Sequence, residues 1–254
     1  MKIGIQTRPW GPEKNRQHLS EVLAEIASVG YDGIEIGAQH LDIAKPREFR
    51  ALIASYKLDV AGIHVGGEIY NLQAVKDALD NLGRIITFAA EAGATFVPFS
   101  GKAKGNKSED EFRIEAESLN RVGELCRQQG LRLAYHNHYW EIENDCRELR
   151  YLCAHTDANL VSLCLDVAWV HRGGGNPVQV AREFVDRIAY IHIKDTTADE
   201  WKELGNGNVN LHGVLDVVRS RAFPWLVVEQ DETKLAPIES AHISREYLRH
   251  ELER

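Results

Sequence analysis

Between Ala134 and Glu141 the chain reads AYHNHYWE, placing two histidines, an asparagine and a glutamate just after an apolar run. Imidazoles and carboxylates are common ligands of divalent cations, and the same groups act as general acids and bases. Three other apolar runs end in a similar way. VSLCLD stops at Asp166, YIHIK carries His192 and Lys194, and WLVVEQ carries Glu229. Side chains on a strand alternate faces, so parity sorts these residues. Ser162, Cys164 and Asp166 oppose Val161, Leu163 and Leu165; Tyr190, His192 and Lys194 oppose Ile191 and Ile193. Ala134 and His136 oppose Leu133 and Tyr135; Trp225, Val227 and Glu229 oppose Leu226 and Val228. The first strands repeat the pattern, with Gln6, Glu35 and His64 set against Ile3/Ile5, Ile34/Ile36 and Ala61/Ile63. One such residue alone is more often a loop anchor than a ligand. Seven strands with the same bias point to a shared site, because buried charges must be paired or bind metal.

The elements that must position these residues are short apolar runs alternating with amphipathic ones. Strands are expected at 2–6, 33–36, 59–64, 95–99, 132–136, 161–166, 188–193 and 225–230. Helical patterns fall between them. HLSEVLAEIASVG has apolar positions Leu19, Val22, Leu23 and Ile26 and a terminal Gly30; LDNLGRIITFAAEAG and AESLNRVGELCRQQG also end in glycine. Successive strands lie about thirty residues apart, the length of one βα unit. Eight units fill residues 1–254 as one domain, and the reading is a single-domain (β/α)8 TIM barrel, an α/β fold. A doubly wound sheet is the rival, weakened because no G-x-G-x-x-G turn follows the first strand. GNGNVN (205–210) reads as a loop near ligand. In a barrel the polar face converges on the axis at the C-terminal strand ends, where active sites of this fold are built.

Composition narrows the partners. Lys and Arg total 30 against 38 Asp and Glu, a net charge of −8, so long-range attraction to nucleic acid or anionic membranes is not expected. No run reaches a membrane-spanning length. The start, MKIGIQTRPW, has no long apolar segment of a signal peptide. Cys126, Cys146, Cys153 and Cys164 show no CxxC spacing and read as reduced thiols. A cytoplasmic protein is the expectation, with a homo-oligomer left open.

LCLDVAWVHRGGGNPV, RIAYIHIKD, GNGNVN and WLVVEQD, preceded by YHNHYWE, resemble the xylose isomerase-like sugar phosphate isomerase/epimerase superfamily, and the resemblance runs from IGIQ through GYDGIEI to VVEQD. It implies one divalent metal (Mn, Co, Zn or Mg) held by four side chains from strands five to eight. Asp166, His192 and Glu229 match three ligand positions. Many relatives use a strand-five Glu; here parity puts His136 there. Ketose epimerases tend to have a histidine where this chain has Trp169, which speaks against their specificity and suggests either a stacking platform for a sugar ring or a plain wall. Glu141 is left as base, hydroxyl acceptor or true fourth ligand. The implied substrate is a sugar, keto-sugar or cyclitol. The implied chemistry is isomerisation, epimerisation or dehydration through a metal-stabilised enediolate.

Glu141, His138, Lys194 and Glu35 are candidate bases. Glu35, His64, Trp169 and Glu203 are candidate substrate contacts, Glu203 alternatively bonding the GNGN loop. A structural Lys194 would pair with Asp195, Glu203 or Glu229, and Asp195 is expected to orient a loop. Two other functions are alternatives. A nuclease like endonuclease IV needs a metal cluster and a basic surface, and a non-catalytic sugar-binding or partner subunit would not need an intact Asp/His/Glu set.

Overall fold

The computed structural model describes residues 1–221 and 223–253. Eight parallel strands close on themselves: β1 (Lys2–Gln6), β2 (Gly33–Gly37), β3 (Asp59–Gly67), β4 (Phe96–Gly101), β5 (Arg132–His136), β6 (Val161–Asp166), β7 (Ile188–Ile193) and β8 (Trp225–Val228). Each pairs with the next in sequence and β8 pairs with β1, so the sheet has no edge and the doubly wound alternative falls. Helices follow the strands around the outside. Leu19–Val29 ends at Gly30 and Leu72–Ala92 at Gly93, both glycines left-handed at φ 88° and 82°, the conformation only glycine adopts without strain. Glu109–Gln128 starts with a reciprocal capping box between Ser108 and Glu111.

Two apolar layers result. The larger, between strands and helices, contains Ile5, Ile34, Leu133, Leu163, Leu165, Ile191 and Val228. The smaller fills the barrel below the site and consists of Ala61, Phe96, Ala134, Cys164, Ala189, Tyr190, Trp225 and Val227. Ala134, Cys164, Tyr190, Trp225 and Val227 are inward as parity predicts, and Ala61 and Ala189 depart from it. Ala61 was placed on the helix-facing side with Ile63, yet it packs inside. The β2–β3 register slips so that Ile34 pairs with Val60 but Glu35 pairs with Gly62. The extra residue turns Ala61 inward and leaves His64 inward as well. A second slip, Leu163 with Ile188 but Cys164 with Tyr190, turns Ala189 inward.

Strands β5, β6 and β7 have the expected bounds; β4 runs two residues further and β8 stops at Val228, leaving Glu229 just past the strand end. A two-stranded antiparallel ribbon, Asp195–Thr196 with Trp201–Lys202, follows β7. The GNGNVN segment is tied to it rather than to the pocket. Asp195 accepts from Gly205 N and Gly207 N at 3.0 Å and from Val209 N at 3.1 Å. The four cysteines are free. Among the described residues no helix is long and apolar enough to cross a membrane.

Candidate metal centre and pocket

At the C-terminal mouth of the barrel the ends of β5, β6, β7 and β8 bring His136, Asp166, His192 and Glu229 together. One potential ligand atom from each lies within 4.8 Å of the others, and all four residues are buried. His136 Nε2 is 3.5 Å from Asp166 Oδ2 and 3.4 Å from Glu229 Oε2, and His192 Nδ1 is 2.5 Å from the same Glu229 oxygen. These separations suit hydrogen bonds, yet His136 Nε2, His192 Nδ1 and Glu229 Oε2 have no hydrogen-bond partner. They meet as ion-pair contacts without hydrogen-bond geometry. Such burial is costly, and a cation among them relieves it. Two neutral imidazoles and two carboxylates also match a divalent charge. The donor set therefore fits a divalent metal without choosing which one.

Backbone chemistry fixes this geometry. Asp166 ends β6 and caps the next helix, Oδ1 accepting from Trp169 N at 2.8 Å, which leaves Oδ2 for the cluster. Asn137 clamps the β5 and β6 ends by donating to Asp166 O (3.1 Å) and accepting from Asp166 N (2.9 Å). His192 is held from behind: its Nε2 is 2.7 Å from Glu35 Oε2, the usual outer partner of a metal-binding histidine.

Glu35 was expected to touch substrate; the structure corrects this. It is fully buried, and its oxygens also take Gln6 Nε2 (2.8 Å), His64 Nδ1 (2.7 Å) and Tyr190 OH (2.8 Å). Burial opposes its charge, but His192 and His64 hold the carboxyl well below the usual range.

Lys194 is fully buried. It reaches Asp166 Oδ2 and Glu229 Oε1 at 3.4 Å and pairs closely with Asp231. Of its three expected partners only Glu229 is correct. Burial works against the ammonium, but Asp166, Glu229 and Asp231 raise its pKa above the ordinary lysine value. Burial likewise opposes the charge on Glu229, and Lys194, His192 and His136 hold it well below the usual carboxylate range.

A pocket of 610 Å3 opens above the cluster, lined by His64, His136, His138, Trp169 and Glu229 among the expected residues, and by Gln6, Arg8, Gln39, Ser100 and Asp231 besides. A wider groove of 1740 Å3 lies outside the barrel, along the helices that include Leu72 and Asn120, and touches none of the cluster. His64 faces the pocket with Nδ1 on Glu35 and Nε2 2.8 Å from Ser100 Oγ. His138 stacks on Trp140, with ring centroids 4.3 Å apart and 10° between planes. Burial, with His136 adding, pushes its imidazole down to about 2, so it is neutral, a hydrogen-bonding group and a weak base. Trp169 packs edge-on against Trp201 at 4.7 Å, with the Lys194 ammonium 5.0 Å from its ring.

Two further expectations are corrected. Glu141 does not line the pocket or join the cluster: Tyr135 OH (2.8 Å) and His138 N (2.7 Å) occupy its oxygens. Glu203 accepts from Thr233 Oγ1 at 2.7 Å and lies off the pocket, while its backbone oxygen accepts from Asn206 N at 3.0 Å, so the alternative bond to the GNGN loop is present through the backbone. Sequence reasoning passed over Asp231, which joins Lys194 to Arg8 (Nε–Oδ1 3.0 Å). It lies two residues past Glu229, beyond the strand, where parity no longer counts; the acid in the quoted VVEQD was its only signal.

A closed (β/α)8 barrel with a buried carboxylate–imidazole cluster at its C-terminal mouth belongs to the class of barrels that place polar sites at that end of the strands. Within that class, this chain belongs to the xylose isomerase-like TIM barrel family, whose sequence model matches residues 23–251. It is 24% identical to an inosose dehydratase of Clostridium botulinum (strain Alaska E43 / Type E3) over an alignment of 296 residues, covering 98% of this chain and 96% of the relative. Its fold is similar to a sugar phosphate isomerase/epimerase from Parabacteroides distasonis (TM-score 0.82, 20% identity, 97% and 93% of the two chains covered). It is also similar to 3-keto-D-glucoside 4-epimerase from E. coli (TM-score 0.79, 19% identity, 100% of each chain covered).

Proposed function

We propose that this protein is a divalent-metal-dependent carbohydrate enzyme that abstracts a proton next to a carbonyl of an uncharged keto-sugar or cyclitol, with isomerisation, epimerisation or dehydration as the outcome. The observation that carries the reading is the convergence of His136, Asp166, His192 and Glu229 with three unpartnered polar atoms. Those four residues would hold the cation. When bound it supplies Lewis acidity toward a substrate oxygen, which makes the neighbouring C–H more acidic.

The rest follows from the chain's own groups. His64 is the best-placed proton acceptor, since Glu35 backs its Nδ1 and its Nε2 faces the pocket beside Ser100; a carboxylate-backed imidazole is a common form of general base. Lys194 keeps positive charge beside Asp166 and Glu229. His138 offers an unpartnered Nδ1 to a sugar hydroxyl. Among the described residues, Arg8 is the one Lys or Arg lining the pocket, and it is already engaged by Asp231; the other polar walls are amides, hydroxyls, imidazoles and the carboxylates of Glu229 and Asp231. Such walls suit hydroxyl groups better than a phosphate ester.

The test is a screen of keto-sugars, inososes and 3-keto-glycosides in D2O, with and without EDTA, beside elemental analysis. Solvent deuterium should enter next to a carbonyl, EDTA should stop it, and His64→Asn should lose exchange while keeping metal. A wild type that takes up none of Mn2+, Co2+, Zn2+ or Mg2+ would sink the reading.

A further inference from the structure

Glu141 has both of its carboxylate oxygens engaged. Oε1 accepts from the Tyr135 hydroxyl on β5, and Oε2 accepts from the backbone N–H of His138 in the following loop. Its side chain therefore pins the loop to the strand that carries His136. Behind Tyr135 lies a second buried set. Lys107 Nζ donates to Glu115 Oε2 at 2.7 Å and to Glu148 Oε1 at 2.5 Å, and the Tyr135 hydroxyl is 3.5 Å from Glu115 Oε1. These residues come from the loop after β4, helix Glu109–Gln128 and helix Glu143–His155. Gly101 leaves the room, because a Cβ there would stand 2.5 Å from the Tyr135 hydroxyl. The anchor is thus tied to several elements, whereas the His138 ring nitrogen Nδ1 has no partner at all. Among the described contacts, the Trp140 stack, the rings of Trp169 and His136 and the backbone bond to Glu141 hold that residue in place.

We propose that Glu141 is a positioning residue: it holds His138 at the pocket wall, anchored through Tyr135 to the buried Lys107–Glu115–Glu148 set, and touches neither cation nor substrate. Only the use made of His138 rests on the function proposed above.

The test reads the His138 imidazole resonance in Zn2+-loaded protein, identified by its loss in His138→Gln, together with amide exchange at residue 138 and a separate Co2+ titration. Glu141→Ala should move the resonance out of the Trp140 ring current and speed amide exchange by about tenfold or more, while Co2+ affinity stays within about threefold, less than an outer-shell loss. Glu141→Gln, which keeps an acceptor for His138 N, should restore both signals. An unmoved resonance in Glu141→Ala, a loss of Co2+ binding in that variant, or a Gln variant that behaves like Ala overturns the proposal. If Glu141→Ala does not fold, Tyr135→Phe frees one carboxylate oxygen and should shift the resonance in the same direction; no shift overturns it. A wild type that binds no metal defeats the functional reading and leaves the resonance comparison, run on metal-free protein, to decide this one.

Discussion

At the ends of β1, β2 and β3, Gln6, Glu35 and His64 bond to one another, with Tyr190 OH and His192 Nε2 completing the set around Glu35. At the ends of β5 to β8, residues of the same kinds lie as close together, yet His136 Nε2, His192 Nδ1 and Glu229 Oε2 touch only as ion pairs without a hydrogen bond, whereas in the first set Gln6 Oε1 is the atom left unbonded. His192 belongs to both halves, with one ring nitrogen satisfied and the other not. Burial is nearly the same on the two sides, so polarity at a strand end does not mark a ligand. Unmatched donor and acceptor geometry does. In the first half Glu35 supports its neighbours from behind, while on the proposed reading a cation in the second half would offset the cost of burial.

Removing a charge from the unmatched half should have the largest effect. Asp166→Asn is expected to lower Co2+ affinity by more than the roughly 10–100-fold typical of outer-shell partners, with the circular dichroism spectrum retained because the helix-facing layer is untouched. His136→Ala should follow, at roughly 10–100-fold or more by the same scale, while Glu141→Gln changes affinity little. Metal stripped by Glu141→Gln and kept by His136→Ala would reverse the assignment. Glu35→Gln probes the junction. It removes the charge behind His192 without removing a ligand, so a loss of roughly 10–100-fold is expected. An unchanged titration would mean the matched half does not support the other and would break the comparison.

Much of this was legible because strand parity is a local rule. β5, β6 and β7 end where their apolar runs end, and His136, Asp166 and His192 lie on the expected face. What escaped was set by three-dimensional assembly. Nothing in DVAGIH announces the register slip that turns Ala61 inward. The sequence reading did not single out Glu115 or Glu148, and only the packing of their two helices against each other brings both to Lys107. Glu141 kept three readings open because its reach depended on a turn that the sequence does not determine. Asp231 lies past the end of β8, where alternation gives no direction.

The smallest expected effect also separates the regions most directly, because two buried glutamates give pH dependence of opposite sign. Glu35 is depressed: burial opposes its charge, but His192 and His64 outweigh it. Its contribution is present above the unfolded value near 4.5 and is lost as pH falls toward the folded value. Glu141 is pushed up to about 8 by burial, with Glu148 and Glu115 adding to it against the bonds from His138 N and Tyr135. Lys107 faces Glu115 and Glu148 rather than Glu141. Here the folded state keeps a proton that the unfolded chain releases, so stability is greatest below pH 4.5, falls as pH rises toward 8, and is level beyond. Glu115, pushed up to about 7 by burial, adds to the same limb. Thermal midpoints measured against pH should therefore show Glu141→Gln flattening the neutral-to-alkaline limb and Glu35→Gln flattening the acid limb. Each kcal/mol is worth roughly 2–4 °C in a chain of this size. If both variants keep the wild-type profile, the charge states assigned to the two regions are wrong, whatever the metal titrations show.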